Sequence, residues 1–152
     1  MTLKLIKHED RSVLELKGTD CKEFLQGLIT NDVHKIDSGE LIYSAMLNPK
    51  GRFLYDFFIF QGRDSLFLDV FAPKSDEIIK KLGFYKLKKD VKITKNDNLK
   101  TYSAINIKLS DHSNYVFNDP RSKNMGLRCY LEDNKIENTQ IQSDISEYEF
   151  NR

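Results

Sequence analysis

Residues 41–60 read LIYSAMLNPKGRFLYDFFIF, in which Asn48-Pro49-Lys50-Gly51 separates two apolar segments of strand length. Asparagine at the first position of the tetrapeptide, proline at the second and glycine at the fourth suit a type I β-turn. Residues 41–47 and 53–60 are therefore predicted to pair as a β-hairpin. A third strand, residues 66–71, follows a polar turn at residues 61–64 and extends the hairpin into an antiparallel meander.

Helices are predicted on both sides of this meander. Asp20 and Glu23 have the spacing of a capping box at a helix N-terminus. Residues 75–82 predict a second helix, with Gly83 in the left-handed position that ends many helices. An antiparallel sheet with packed helices is an α+β fold. The apolar face of the first helix follows the helical spacing i, i+3, i+4, i+7 and i+8: Cys21, Phe24, Leu25, Leu28 and Ile29.

The remaining residues predict shorter strands, and we take residues 1–152 as one domain because this length supports a single core. Residues 99–109 form a long strand in which Tyr102, Ala104 and Ile107 are the predicted inward positions. A polar loop at residues 135–142 precedes a helical pattern that begins at Ser143 or Asp144. The shorter predicted strands are residues 2–6, 13–16, 91–94, 116–117 and 127–131.

The charges nearly cancel, since 24 lysines and arginines stand against 23 aspartates and glutamates. This excludes a whole-surface field that would attract nucleic acid, and we expect no membrane partner, although a local patch stays open. Residues 80–95 form such a patch, with seven lysines, one aspartate and interleaved apolar residues. A solvated helix end and strand edge explains this composition. An RNA-binding surface is the alternative.

Neither the two cysteines, Cys21 and Cys129, nor the three histidines have the spacing of a metal site or of a catalytic motif. We therefore expect no metal and no catalytic residue in this chain. The first residues lack the apolar segment of a signal peptide, and Glu9 and Asp10 argue against a mitochondrial presequence. The sequence therefore predicts a cytoplasmic protein.

Five motifs, in matching order and spacing, resemble the folate-binding proteins related to the glycine-cleavage T-protein. Gly18-Thr19-Asp20, with FLQG at residues 24–27 and TNDV at residues 30–33, resembles the opening of that superfamily. NPKGRFLYDF at residues 48–57 resembles the hairpin of its iron–sulfur cluster assembly and repair branch. Three further motifs of this branch are matched by YKLKKDVKI at residues 85–93, DPR with GLR at residues 119–128, and YEFNR at residues 148–152.

The resemblance covers only the first half of such proteins, and the branch's lysine-glycine-cysteine-tyrosine motif has no counterpart here. It implies a truncated or split member that resembles the N-terminal part of the T-protein fold and holds tetrahydrofolate or another folate. Tyr43 stands where the superfamily has a tyrosine in the folate pocket. Asn31, Asp32 and Asp56 would offer hydrogen-bonding partners to the pterin. Arg52 would contact the glutamate tail.

Tyr55 and Asp56 stand about where the aminomethyltransferases have two aspartates, of which the first supports attack at a folate nitrogen. A tyrosine, with a pKa of about 10, cannot replace an ionised carboxylate at neutral pH. The resemblance therefore implies a folate-binding accessory protein for iron–sulfur cluster assembly, with that machinery as its partner, and also an association with tRNA modification.

Two other functions stay open. One is an aminomethyltransferase-like half-enzyme that a second chain completes. The other is a non-catalytic module that binds RNA or protein. In either case a chain of half length exposes an apolar face, so we expect a homo-oligomer or a second chain that carries the missing half.

Overall fold

The computed structural model describes residues 4–105 and 115–132, and the chain divides into two compact units. The larger unit is Ser12–Asn96, and the smaller unit combines residues 1–11 with residues 97–152. The described helices and strands are, in chain order, β1 (Lys4–Lys7), β2 (Arg11–Lys17), α1 (Cys21–Gln26), a 3₁₀ helix (Val33–Ser38), β3 (Ile42–Leu47), β4 (Phe53–Gln61), β5 (Leu66–Phe71), a short 3₁₀ turn (Ala72–Lys74), α2 (Ser75–Lys86), β6 (Lys92–Asn96), β7 (Leu99–Ile105), β8 (Val116–Asn118), a second short 3₁₀ turn (Lys123–Met125) and β9 (Leu127–Glu132).

The larger unit contains a five-stranded sheet in the order β3-β4-β5-β2-β6. Strands β3, β4 and β5 pair antiparallel in sequence order, which confirms the predicted hairpin and meander. At the hairpin turn, the Gly51 N–H donates to the Asn48 carbonyl at 2.9 Å. Gly51 has a φ of +78°, which glycine adopts without strain.

One face of this sheet, which we call the inner face, packs against both helices. Its core positions alternate along the strands, as in Phe57 and Ile59 of β4, and they meet Leu25 of α1 with Ile78 and Leu82 of α2. Each of these five side chains is almost fully buried. Burial of one such side chain stabilises a fold by about 1.5–3 kcal/mol, so this layer holds the larger unit together.

The first helix is shorter than predicted, and the predicted capping box is wrong. Helix α1 ends at Gln26, although Leu28 and Ile29 still pack on the inner-face core. The Asp20 side chain makes no capping hydrogen bond. Its carboxylate accepts the Asp90 N–H at 2.8 Å instead.

Asp20 belongs to a set of contacts, here called the clasp, between the loop at residues 18–20 and Asp90. The Thr19 N–H and hydroxyl donate to the Asp90 carboxylate at 2.9 and 3.0 Å. These bonds lower the pKa of Asp90, the backbone bond most strongly. Gly18 has a φ of +135°, and a Cβ there would lie 2.0 Å from the Asp90 carbonyl oxygen. The clasp therefore requires glycine at this position.

The prediction for the end of the second helix is also wrong. Gly83 lies inside α2, which continues to Lys86. Tyr85 packs against the inner-face core, on the same side as Ile78 and Leu82, and this contact favours another turn of helix. The positive φ occurs at Leu87, with a value of 49°.

The smaller unit contains a four-stranded sheet in the order β1-β7-β9-β8. Tyr102 and Ala104 of β7 are buried, as predicted, and pack with Leu5 and Cys129. Ile107, the loop predicted at residues 135–142 and the predicted C-terminal helix lie outside the described residues.

An ion pair holds the loop between β8 and β9. Arg121 donates through Nε and Nη2 to the buried Asp119 carboxylate at 3.0 and 2.8 Å. Burial alone would raise the pKa of Asp119, but the hydrogen bonds and charge of Arg121 outweigh burial and lower it. The residues that matched the DPR motif therefore form an internal contact of the smaller unit.

Candidate functional site

The second face of the larger sheet, here called the outer face, gathers two of the predicted site residues. Cross-strand partners in an antiparallel pair point to the same side of a sheet. Tyr43 is paired with Phe58, and Ala45 with Asp56, so all four side chains share the outer face. The Tyr43 hydroxyl donates a hydrogen bond to the Asp56 carboxylate. The Tyr43 ring also lies 5.0 Å from the buried Phe58 ring, and its exposed fraction is 38%.

A β-bulge enlarges this face next to the hairpin turn. The register shifts between Met46, which pairs with Tyr55, and Leu47, which pairs with Phe53. Leu54 is the extra residue, and both Leu54 and Tyr55 pack towards the inner-face core. Phe53 therefore joins Leu47 on the outer face, where 62% of Phe53 is exposed.

Sequence reasoning missed this apolar extension of the site. Simple alternation places Phe53 on the same side as Tyr55, which the bulge prevents. The only available signal was the uninterrupted apolar triplet at residues 53–55, which breaks the period of two.

Asn31 and Asp32 lie beside the edge strand β3. The Asn31 side-chain amide donates to the Tyr43 carbonyl at 3.0 Å, and its oxygen accepts the Asp32 N–H at 2.7 Å. Asp32 in turn accepts the His34 N–H at 3.0 Å and caps the 3₁₀ helix. These groups fix the backbone that carries Tyr43. Their contact with a pterin stays a prediction.

Arg52 lies at the hairpin turn and not beside the Tyr43–Asp56 pair. Its N–H donates to the Asn48 side chain at 2.9 Å, and its side chain is exposed. Arg52 precedes Asp56 by four positions, which corresponds to about 13 Å of strand. The carboxylate of Asp56 and the cation at the hairpin turn therefore lie well apart.

Tyr55 points away from Asp56, towards helix α2. Its hydroxyl donates to the Glu77 carboxylate at 2.5 Å. Burial, with this hydrogen bond as a further cause, raises the pKa of Tyr55 to about 12. The same bond lowers the pKa of Glu77. An aspartate at position 55 would lie by Glu77 on the inner face, so positions 55 and 56 do not form one site in this chain.

Neither cysteine has the environment of a reactive thiol. Burial raises the pKa of Cys129 to about 12. Burial, together with Asp90 and Asp20, also raises the pKa of Cys21. Within residues 4–105 and 115–132, no group of three or more histidine, cysteine or acidic residues could hold a metal ion.

Comparison with known proteins identifies relatives in iron–sulfur biology. The chain is 30% identical to the "Iron-sulfur cluster assembly factor IBA57 homolog, mitochondrial" of Mycosarcoma maydis, over 86% of this chain and 36% of that protein. It is 26% identical to the protein of the same name in Dictyostelium discoideum, over 93% of this chain and 44% of that protein. The chain therefore spans less than half the length of these relatives.

These names contradict the cytoplasmic prediction, because both relatives are mitochondrial. That prediction relied on Glu9 and Asp10. Both residues are exposed in the turn that joins β1 to β2. They are therefore part of the folded protein and carry no information about targeting.

The fold and the family agree with the resemblance found in the motifs. The structure matches the crystal structure of the glycine cleavage system aminomethyltransferase T from Bartonella henselae with a TM-score of 0.68, over 92% of this chain and 47% of that chain, at 11% identity. This match confirms the α+β fold. The family model "GCVT N-terminal domain" matches residues 5–108. The chain thus belongs to the GCVT N-terminal domain family.

Proposed function

We propose that this chain binds a folate on the outer face of the larger sheet and acts as an accessory factor in iron–sulfur cluster assembly, not as an enzyme by itself. The observation that carries the proposal is the Tyr43–Asp56 pair, which joins an aromatic ring and a carboxylate on a partly exposed sheet face. The family match and the names of the relatives support the same function.

The chemistry of a pterin fits this pair. A pterin is flat, with N–H donors along one edge, so it requires a ring to pack against and a fixed acceptor. Asp56 would accept from the amino group and the neighbouring ring nitrogen, and Tyr43 would supply the ring contact. The folate tail carries carboxylates at the opposite end of the molecule. Arg52, about 13 Å along the strand from Asp56, suits that end.

Asn31 has a positioning role in this proposal. Its amide holds the Tyr43 carbonyl at 3.0 Å, which fixes the backbone of the edge strand without using the outer face. Phe53, delivered to the outer face by the bulge, extends the apolar surface between the pterin position and the hairpin turn.

The cellular part of the proposal follows the relatives. Like relatives named as assembly factors, the chain would assist cluster assembly, through its folate and its contacts with the assembly machinery. A mitochondrial location is proposed on the same basis. Tyr55, directed towards Glu77, gives no support to aminomethyl transfer.

Calorimetric titration of the full chain with folinic acid tests the site. We expect binding by the parent protein and about tenfold weaker binding by Asp56→Asn, because a charged acceptor is lost. Asp64→Asn is the matched control, since Asp64 is an exposed carboxylate in the turn after β4. Equal affinity of Asp56→Asn and the parent would refute this site, and no binding by any variant would refute folate binding.

A cellular experiment tests the role separately. Cells depleted of this protein are resupplied with the parent or with Asp56→Asn, and the activity of an iron–sulfur enzyme is measured. Recovery with the parent and reduced recovery with the variant would support the accessory role. No recovery with a parent protein that binds folinic acid would contradict that role and leave the binding site intact.

A further inference from the structure

The end of helix α2 exposes apolar side chains together with lysines. Phe84 is 76% exposed and Leu87 is 83% exposed, the two highest values among the large hydrophobic residues that the structure describes. Lys80, Phe84 and Leu87 follow the spacing i, i+4 and i+7, opposite the buried Ile78 and Leu82. Together with Lys88 of the following loop, these exposed residues form what we call the α2 tip. None of these four residues belongs to the proposed folate site.

The backbone at Leu87 is strained. Its φ of 49° with a ψ of −117° is the one positive φ among the non-glycine residues of the described ranges. A branched apolar side chain in this region is costly, and glycine would adopt the same backbone freely. Strained residues cluster at active sites, ligand clamps and switch regions, so this strain is the starting point for a functional hypothesis. Since most of Leu87 is exposed, that function would involve a surface outside the chain.

The charge around the tip is basic and only partly neutralised. Residues 80–95 hold seven lysines and one aspartate. Two of the lysines form ion pairs. Lys89 Nζ lies 3.5 Å from Glu23 Oε1, and Lys95 Nζ lies 2.7 Å from Asp76 Oδ1. The one aspartate of the segment is held by the clasp. Among the described residues, Lys80, Lys88 and Lys92 have no ion-pair partner, so the tip keeps a net positive charge.

The distribution of charge along α2 gives the tip a direction. Asp76 and Glu77 lie in the first turn of the helix, about 15 Å from its C-terminal end. The helix would therefore meet an anionic surface by its C-terminal end, with its acidic end directed away. A second copy of the same tip is unfavourable, because like charges would face each other.

We propose that the α2 tip docks this protein onto an anionic lipid membrane, with Phe84 and Leu87 entering the headgroup region and the lysines contacting lipid phosphates. Exposed apolar side chains flanked by lysines are typical of interfacial contacts. No helix in the described part of the chain is long and apolar enough to cross a bilayer. The balanced total charge makes the attraction local and dependent on this patch.

Single-stranded RNA fits the tip less well than a lipid surface does. RNA binding uses aromatic faces on which bases stack, and Leu87 has none. The Phe84 ring packs edge to face against the Tyr85 ring, with 5.7 Å between the ring centroids. An aliphatic residue as the most exposed apolar group favours hydrocarbon.

Sedimentation of the full chain with vesicles tests this inference. We expect binding to vesicles of mixed phosphatidylserine and phosphatidylcholine, with little binding to phosphatidylcholine alone and a loss of binding at high salt. Leu87→Gly should weaken binding about tenfold, while its melting temperature stays unchanged or rises because the strain is relieved. Phe84→Ser should weaken binding similarly. Phe71→Ser, at another exposed phenylalanine outside both proposed sites, is the matched control and should bind like the parent.

Several outcomes would overturn the proposal. The proposal is wrong if the parent does not sediment with anionic vesicles. It is also wrong if Leu87→Gly binds these vesicles as well as the parent does. Tight binding to a fluorescent single-stranded RNA that Leu87→Gly leaves unchanged, with no vesicle binding, would establish the RNA alternative instead. A cooperative melt of Leu87→Gly, followed by circular dichroism, at the parent's melting temperature or above shows that the variant is folded, which keeps its vesicle result meaningful whether or not the protein binds a folate.

Discussion

The clasp and the outer face of the hairpin both coincide with family motifs, yet they use their polar groups in opposite ways. In the clasp, the polar groups form hydrogen bonds within the chain, among Thr19, Asp20 and Asp90. On the outer face, Tyr43 and Asp56 bond to each other at a surface that solvent reaches. A matched motif therefore does not by itself indicate ligand contact. The residues of a motif can be divided into those whose hydrogen-bonding partners lie within the chain and those that stand at a surface where a ligand can bind.

The clasp should show the largest effect on stability. Gly18→Ala places a Cβ 2.0 Å from the Asp90 carbonyl oxygen at a φ of +135°, so we expect a loss of about 3 kcal/mol of unfolding free energy. Gly51→Ala is the control, because it has a φ of +78° with no atom near the added Cβ, and should lose about 1 kcal/mol. Urea unfolding followed by circular dichroism measures both. Equal losses would show that close approach in the clasp contributes nothing.

The ion pair of the smaller unit should behave like the clasp and should depend on pH. Asp119→Asn removes a buried charged acceptor from Arg121, so we expect a loss of about 2 kcal/mol at neutral pH. The pKa of Asp119 is lowered in the folded state from an ordinary 3.8. Its contribution is therefore present above about pH 4 and is lost as the pH falls further.

Unfolding in urea between neutral and acidic pH measures this dependence. The difference in unfolding free energy between the parent and Asp119→Asn should shrink as the pH falls below the ordinary value of 3.8. A difference that stays constant down to the acid limit would contradict the linkage to this carboxyl group.

The outer face should show the smallest effect on stability. Asp56→Asn keeps an acceptor for the Tyr43 hydroxyl at a partly exposed position, so we expect a change within about 0.5 kcal/mol. The same variant is expected to weaken folinic acid binding, which separates the two kinds of motif. A thermal melt of parent and variant is sufficient. A loss as large as that of Asp119→Asn would place the pair with the structural contacts.

Sequence reasoning predicted the meander because its signals are local. The NPKG turn and the alternation in residues 66–71 need no distant partner to be recognised. This hairpin carries Tyr43 and Asp56, both of which the resemblance names as folate contacts. The structure shows them as diagonal neighbours, with Phe58 and Ala45 as their direct partners.

The errors about the fold arose from contacts that the pattern within one helix or one strand does not reveal. Asp20 bonds to a residue 70 positions away, which a capping pattern cannot reveal. Gly83 stays helical because Tyr85 packs on the inner-face core. The bulge at Leu54 depends on how β3 and β4 pair, so the side on which Phe53 lies was not readable from the alternation of one strand.

The hydrogen bonds at residues 30–31 restrict how another molecule can approach β3. Thr30 donates its N–H to the Ala45 carbonyl and accepts the Ala45 N–H through its hydroxyl, while Asn31 occupies the Tyr43 carbonyl. The Ala45 N–H, the Ala45 carbonyl and the Tyr43 carbonyl are thus already used, so an incoming strand cannot pair with these three groups. Another molecule therefore cannot extend the sheet here by strand addition, which is the usual path to intermolecular aggregation. It can bind at this point only through side-chain contacts.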